Sequence, residues 1–522
     1  MTVLSLVYDA RWVVLGLLAL VYLGKRLMLY RRLSHFKGPF SSGWSELYHI
    51  KTILSLDFNE TYTTLCETYG SIVRVGPNDL LTSSPELLSH INSPRAGYVR
   101  SEWYHGGIRF KKGEDHVMSL LDDGAHTRQR ARLAAGYSGK ENLELESSID
   151  QTVGELVHLI RTKYLSDPTT SQSRPFDLAQ KINFFTLDTI SLISYGESFG
   201  DLRTDSDVGS FMAASKLGLL INTTCIALRL WPIIQHPWIN RFLAPSEKDA
   251  VGMGRLISNA RTIIEARFAE DQGDVLTGSK TDMIASFARH GLTKEEIVRE
   301  SLLQIVAGSD TTSAALTTIM LFLLTHPPVY AKLQAEVDSV VVDSDTNSSG
   351  TGIIPTSQAK NLPYLQAVIK EGTRIHPPVA IQATKCVPPQ GDTVTVDGNQ
   401  VFLPGGTNIS VATWPLHFRP DVFSPDPKVF RPERWLAEKD SQKLTKMHQV
   451  YDLTFGGGKF QCLGKKIAGM ELEKVLFELI HNFDWSLMRP QKPWKETNYV
   501  GMMIHQDMWV LATDRTAGKK GY

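Results

Sequence analysis

The chain has 522 residues with 55 basic and 55 acidic side chains, 42% hydrophobic residues and four cysteines. Ten Trp, 16 Tyr and 21 Phe are ample for a packed core and exclude wholesale disorder. A formal net charge of zero excludes nucleic-acid binding through bulk positive potential. Cys66, Cys225, Cys386 and Cys462 are far apart, with no CxxC pair and no density of a disulfide framework, which fits a reducing compartment.

At the N-terminus, Trp12 to Gly24 is an unbroken apolar or small run, and residues 1–24 carry only Asp9 and Arg11 as charges. At ~1.5 Å per residue, Leu4–Leu23 is long enough to cross a hydrocarbon core of ~30 Å. Leu23-Gly24-Lys25-Arg26 offers no persuasive cleavage site, so an uncleaved anchor is expected. Lys25, Arg26, Arg31, Arg32 and Lys37 follow with no acid before Glu46, which places the rest of the chain on the cytosolic side. The expected organisation is an anchor at 1–24, a basic Gly/Pro elbow at 25–43 stiffened by Pro39, and one large body at 44–522.

The body reads as mainly α with a smaller β region, without a repeat of fixed period. Ser71–Val75 has strand character ahead of the turn Gly76-Pro77-Asn78. Thr393–Val396 and Val401–Leu403 flank Asp397-Gly398 and predict a hairpin. Asp343–Gly352 is read as an exposed loop. The longest predicted helix is Thr293–Thr325, opened by a Thr293/Glu296 capping box and roughly 48 Å long. Its centre, Ala307-Gly308-Ser309-Asp310-Thr311-Thr312, is poor helix chemistry, since Gly alone costs ~1 kcal/mol against Ala. Either something large packs against that patch, or it marks a crossing of helices on small residues.

A second unusual segment is Phe455-Gly456-Gly457-Gly458-Lys459-Phe460-Gln461-Cys462-Leu463-Gly464. Its glycines allow close backbone approach, and Cys462 precedes a helix, Lys465–Ile480, whose N–H groups could support a thiolate. A phosphate loop is excluded, because Gly at 459 and Ser or Thr at 466 are both replaced by Lys.

Together these segments resemble the cytochrome P-450 family of haem-thiolate monooxygenases. The family's cysteine motif maps onto Phe455, Gly458, Cys462 and Gly464, and its E-x-x-R pair onto Glu371 and Arg374. Its P-E-R-F segment resembles Pro432-Glu433-Arg434-Trp435, and Ala307–Thr311 fits its distal motif. The resemblance implies the P-450 fold, haem b on the Cys462 thiolate, and a structural Glu371–Arg374–Arg434 cluster. It further implies Asp310 and Thr311 as the acid–alcohol pair that delivers protons. His126, Arg130 and Lys385 are implied as propionate partners. Phe460 departs from the usual Arg or His two residues before the cysteine.

Without a nucleotide fingerprint, the chain is expected to take electrons from NADPH through a separate cytochrome P-450 reductase, with O2 as co-substrate and cytochrome b5 as a second possible donor. Lys459, Lys465, Lys466 and the basic residues of Arg128–Arg132 would form a docking patch. Arg95–Trp103, Ile305-Val306, Val379–Gln382 and Val500–Met503 match the family's substrate-recognition segments, and the apolar Val379, Ala380, Ile381, Met502 and Met503 imply a lipophilic small molecule. Gly136–Lys140 and the glycine–cysteine run are similar to filamentous-fungal microsomal members such as pisatin demethylase, which implies an enzyme of secondary metabolism at the endoplasmic reticulum membrane. The competing readings are a haem-thiolate isomerase or dehydratase that uses no dioxygen, and a non-catalytic membrane haem protein; the intact Asp310-Thr311 pair argues against the first.

Overall fold

The computed structural model describes residues 3–515 except 108, 110, 168, 171, 244, 250, 251, 271–280, 341–351 and 500. The loop expected at Asp343–Gly352 therefore lies almost wholly outside the described residues. The chain divides into two compact units, Met1–Ser101 with Ala383–Leu416, and Glu102–Gln382 with His417–Tyr522.

The first unit begins with helix α1, Val3–Arg32, which runs without a break from the apolar stretch into the basic one. Side chains from Trp12 to Lys25 are exposed, so this apolar surface has no protein partner along that stretch. Its other end is tied down. The Arg74 guanidinium donates to the carbonyls of Leu29 (3.0 Å), Tyr30 (3.0 Å), Gly43 (3.3 Å) and Pro77 (2.9 Å), where a cation complements the helix dipole. The ring of Tyr30 stacks on Trp44 at 4.3 Å.

Five strands form the main sheet of this unit, in the order Ile72–Arg74, Asp79–Thr82, Asn408–Ala412, Ile381–Cys386, Val99–Arg100. The strand expected at Ser71–Val75 is its edge. The hairpin expected around Asp397-Gly398 is present as Asp392–Val396 and Asn399–Leu403. Both turn residues have positive φ, 49° and 79°, which is the two-residue turn that Asp-Gly favours. Leu80, Val394, Val396, Leu403 and Ile409 bury the inner faces.

The second unit is a helical body. Its principal helices are α2 (Asp123–Ser138), α3 (Leu145–Leu159), α4 (Leu178–Tyr195), α5 (Phe211–Ala227), α6 (Lys294–Thr325), α7 (Pro363–Ile375) and α8 (Lys465–Asn482). Helix α6 opens with the expected capping box: Thr293 Oγ1 accepts from Glu296 N at 3.3 Å, and Glu296 Oε2 accepts from Thr293 N at 2.8 Å. It packs most extensively along α4, and also against α7, α8 and the strand Met502–Gln506. At Gly308 α4 comes close, since a Cβ there would meet Ile190 at 3.0 Å. The missing side chain at 308 thus serves a helix crossing, one of the two readings the sequence left open for this patch.

A densely bonded polar cluster surrounds Glu371, which is fully buried with Arg374. Glu371 Oε1 accepts from Arg374 Nη2 (2.7 Å), Arg434 Nε (2.8 Å) and the Arg431 amide (3.0 Å). Its Oε2 accepts from Arg374 Nε (2.8 Å) and Trp435 Nε1 (2.9 Å). The remaining guanidinium donors go to carbonyls of His417, Phe423, Asp426, Pro427 and Val429. Asp426 Oδ1, 3.0 Å from Arg434 Nη2, balances the second positive charge.

Two outcomes follow from these contacts. Glu371→Gln leaves Arg374 buried without its counter-charge, so chemical denaturation should show a loss of ~3–5 kcal/mol; a loss under ~1 kcal/mol would contradict the account. Removing residues 1–24 keeps the Arg74 partners and should leave the melting temperature unchanged, whereas removing 1–32 takes away two of its acceptors, Leu29 and Tyr30, and should lower stability by ~1–3 kcal/mol.

Candidate active site

The 455–464 loop is shaped by glycines and closed by its own backbone. The Cys462 amide donates to the Phe455 carbonyl at 2.7 Å, and Gly456 and Gly458 hold positive φ of 74° and 57°. A Cβ on Gly456 would meet the Phe460 carbonyl at 3.0 Å, so that position is restricted twice over. Gly464 caps the start of α8, and the amides of Gly464 and Lys465 point at the Cys462 thiol.

Cys462 has accessible surface, yet burial is the largest influence on its thiol and pushes its pKa up. The residue keeps some accessible surface while its sulfur is desolvated, and that desolvation governs the thiol. The two amides and the Arg130 charge act in the opposite direction and favour thiolate. Cys66 contrasts with it: that thiol is buried, and its pKa is pushed up to about 12.

Tyr137 and Glu471 each hydrogen-bond α6. Tyr137 lies within electrostatic reach of Cys462 and hydrogen-bonds Gln304. Glu471, on α8, hydrogen-bonds Thr312, and burial raises its pKa to about 8. Between positions 304 and 312, Ala307 is exposed and Val306, Gly308 and Thr311 are half-exposed, although the helix is buried on either side. At 3.6 residues per turn, Gln304, Ala307 and Thr311 fall within about 60° of one another. The open stretch of α6 therefore lies on the face that carries Gln304.

Thr311 and Asp310, neighbours in sequence, look in different directions. Thr311 Oγ1 donates to the Ala307 carbonyl at 2.7 Å, leaving its lone pairs available. Asp310 is buried; its Oδ2 accepts from Ser215 Oγ on α5 at 2.7 Å and its Oδ1 from Asn183 Nδ2 on α4 at 3.3 Å. Burial raises the Asp310 pKa, while the two donors and nearby Lys216 pull it back.

His126 and Arg130 sit one turn apart on α2, which is N-capped by Asp122 accepting from Ala125 N at 2.7 Å. His126 is buried with its ring 5.0 Å from that of Phe460. The residue that departs from the family pattern therefore packs on an imidazole. Lys385 belongs to the first unit, where it is buried on strand Ile381–Cys386 opposite Arg100. The lysines expected to form a docking patch are largely engaged. Lys459 pairs with Asp123, Lys465 with Asp452 at 2.8 Å, and Lys466 donates to the Ser138 carbonyl at 2.7 Å. Arg132 pairs with Glu296 at 3.0 Å. The positive potential is thus lower than the count of cations suggested.

Two of the expected substrate segments meet. Val379 bridges Met502, the Ala380 amide donates to Gly501 O at 2.7 Å, and the Met503 amide donates to Pro378 O at 3.1 Å. Ser215, Asn183 and Glu471 were not singled out from sequence, and Tyr137 was noted only as part of Gly136–Lys140, without this role. Each acts through a partner distant in the chain, and no local pattern marks them.

This arrangement, a cysteine under helix amides beside cations and facing an opened stretch of a long helix, suits a flat cofactor held by a thiolate. A cytochrome P450 family profile matches residues 39–510, and the chain belongs to that family of haem-thiolate oxidoreductases. It is 38% identical over 513 residues to the cytochrome P450 monooxygenase ABA1 of Pyricularia oryzae (strain 70-15), covering 96% of each chain. It is 34% identical over 488 residues to aba1 of Botryotinia fuckeliana (strain B05.10), covering 91% of this chain and 90% of the relative. The monooxygenase pkfB of Emericella nidulans is 28% identical over 491 residues, covering 92% of both. The chain is accordingly a monooxygenase with a haem-thiolate cofactor, of a kind that draws NADPH electrons through a reductase.

The Asp310 environment has a testable consequence. An acid with a raised folded-state pKa binds its proton more tightly when folded, so stability falls as pH rises through the ordinary value of 3.8 and levels off above the folded value. Asp310→Asn removes that loss. Its melting temperature should exceed the wild type's at neutral pH, with the gain shrinking as pH falls towards about 4. A gain that does not vary with pH would show that Asp310 contributes no such titration.

Proposed function

We propose that the chain is a membrane-anchored monooxygenase that hydroxylates, demethylates or epoxidises a lipophilic small molecule in fungal secondary metabolism. The observation that carries this reading is the Cys462 thiol under the Gly464 and Lys465 amides, within electrostatic reach of Tyr137, which hydrogen-bonds Gln304 of α6. Residues 1–24 anchor the chain once in the endoplasmic reticulum membrane, 25–43 join the anchor to the body, and 44–522 form a cytosolic catalytic domain. The exposed apolar surface of α1, with basic residues at its inner end, supports that orientation. NADPH-cytochrome P-450 reductase supplies electrons, with cytochrome b5 as an additional donor.

In this reading Cys462 is the axial ligand, and Phe455, Gly458 and Gly464 shape its loop. His126 and Arg130 hold the propionates. The haem, once bound, supplies dioxygen activation and insertion of one oxygen atom into the substrate. Thr311 lends its lone pairs to a proton on its way to the reacting oxygen. Asp310, whose pKa burial raises, refills that path once its bonds to Ser215 and Asn183 loosen. Met502 and Val379 present apolar surface to the substrate. Glu371, Arg374 and Arg434 act structurally.

Reduced protein under carbon monoxide should show the strongly red-shifted Soret band of thiolate ligation, and Cys462→His should lose it. A histidine-type band in the wild type would remove Cys462 from its role. Thr311→Ala should keep the band while product formed per NADPH falls by about tenfold or more and hydrogen peroxide rises. Unchanged coupling would mean Thr311 does not carry the proton.

A further inference from the structure

In the second unit, the hairpin Lys495–Tyr499/Met502–Gln506 places Glu496 directly opposite His505, so both side chains leave the same face. His376, the residue that ends α7, comes to the same point. Glu496 Oε2 is 2.7 Å from His376 Nε2 and 2.8 Å from His505 Nε2, and the three ligand atoms lie within 4.8 Å of one another. We propose that His376, Glu496 and His505 bind a divalent transition-metal cation of the zinc class. This reading does not depend on the assignment of Cys462.

Two neutral imidazoles and one carboxylate form a three-ligand zinc set that leaves a fourth position for water. Tetrahedral bonds of ~2.1 Å separate their donors by about 3.4 Å, so each N···O contact must open by about 0.6 Å. Glu496 can supply that movement, because its side chain is 24% exposed while those of His376 and His505 are 9% and 1% exposed. The same difference gives the ion an entry path from the carboxylate side.

The outer contacts suit ligation. For Nε2 to bind metal, the imidazole proton must reside on Nδ1 and find an acceptor there. His376 Nδ1 has Thr318 Oγ1 at 3.4 Å. His505 Nδ1 is buried and makes no hydrogen bond of good geometry, although the Ala314 backbone of α6 faces that ring. Moving the His505 proton from Nε2 to Nδ1 would give this nitrogen a donor role towards Ala314 and free Nε2 for the ion. Trp494 stacks on His505 at 4.0 Å with 5° between the planes, which fixes the ring. An ion here would join the hairpin that carries Met502 to the end of α7.

The test uses the full-length, haem-loaded chain, stripped with a chelator, equilibrated with zinc chloride and gel-filtered. Elemental analysis should find close to one retained zinc per chain, and calorimetry a tight phase weakened by about tenfold or more in Glu496→Gln and His505→Gln. Zinc should raise the melting temperature of the wild type and not of these variants. X-ray absorption of the retained zinc should show scattering from two imidazoles. Thr318→Val leaves all three ligands in place and should still weaken the tight phase, which keeps the test decisive if a ligand variant fails to fold. No retained zinc, a tight phase equal in wild type and Glu496→Gln, or absorption without two imidazoles would overturn the proposal, leaving the trio as a hydrogen-bonded clamp.

Discussion

The second unit depends on satisfying the buried Glu371 carboxylate. Taking one carboxylate and two guanidiniums out of water costs several kcal/mol per ion, and only complete pairing offsets it. Here the carboxylate accepts five hydrogen bonds from four residues. The guanidinium donors left over are bound by carbonyls between His417 and Val429. A stretch of irregular backbone is thereby held by charge, where it has no ladder of its own. The same stretch leads into the 455–464 loop, and Thr454 Oγ1 meets His417 Nε2 at 2.9 Å. Burial and the nearby Arg374 charge drive the His417 pKa down to about 3, so this link stays neutral and does not add a positive charge to the cluster.

Helix α6 turns that rigidity into a site. A helix buried on both flanks can be open at its centre only if its neighbours are held apart there. Tyr137 and Glu471 span to it at positions 304 and 312 and leave the residues between them clear. Gly308 lets α4 close on the opposite side through Ile190. The polar patch thus has two uses that its composition alone could not separate: Gly308 and Ser309 face α4, while Ala307 and Thr311 border the opening.

Features fixed by neighbours in sequence were legible before the structure. The Thr293–Glu296 box, the Asp397-Gly398 turn and the glycines before Cys462 each encode local backbone geometry within a few residues. The Glu371–Arg374 pair was legible for the same reason, being one helical turn apart. What escaped reading were pairings with no sequence period: Asp310 with Ser215 and Asn183, Tyr137 with Gln304, and His376 with Glu496. The two-way split of the polar patch escaped as well, since periodicity identifies a face of a helix but not what packs against it. The lysines show the converse error. Counting Lys459, Lys465 and Lys466 suggested a bare positive surface, because Asp123 and Asp452, their partners, lie far off or unremarked in the chain.

Phe460 shows how a departure from a family pattern can be absorbed. A cation at that position would add charge beside Arg130, where the thiol already feels one. An aromatic ring removes that charge and instead packs on His126, fixing the imidazole plane at 32° to its own. The imidazole loses rotational freedom on burial in any case, and a ring contact confines it without competing for its nitrogens. In the proposed haem site this shifts weight from charge to orientation: Arg130 carries the fixed positive charge, and His126 contributes a held donor. The Lys459 ammonium, paired with Asp123, also lies over the Phe460 ring, 5.1 Å from its centroid. Loss of the usual cation at 460 is therefore not an unfilled position but a different way of setting the same neighbouring donor.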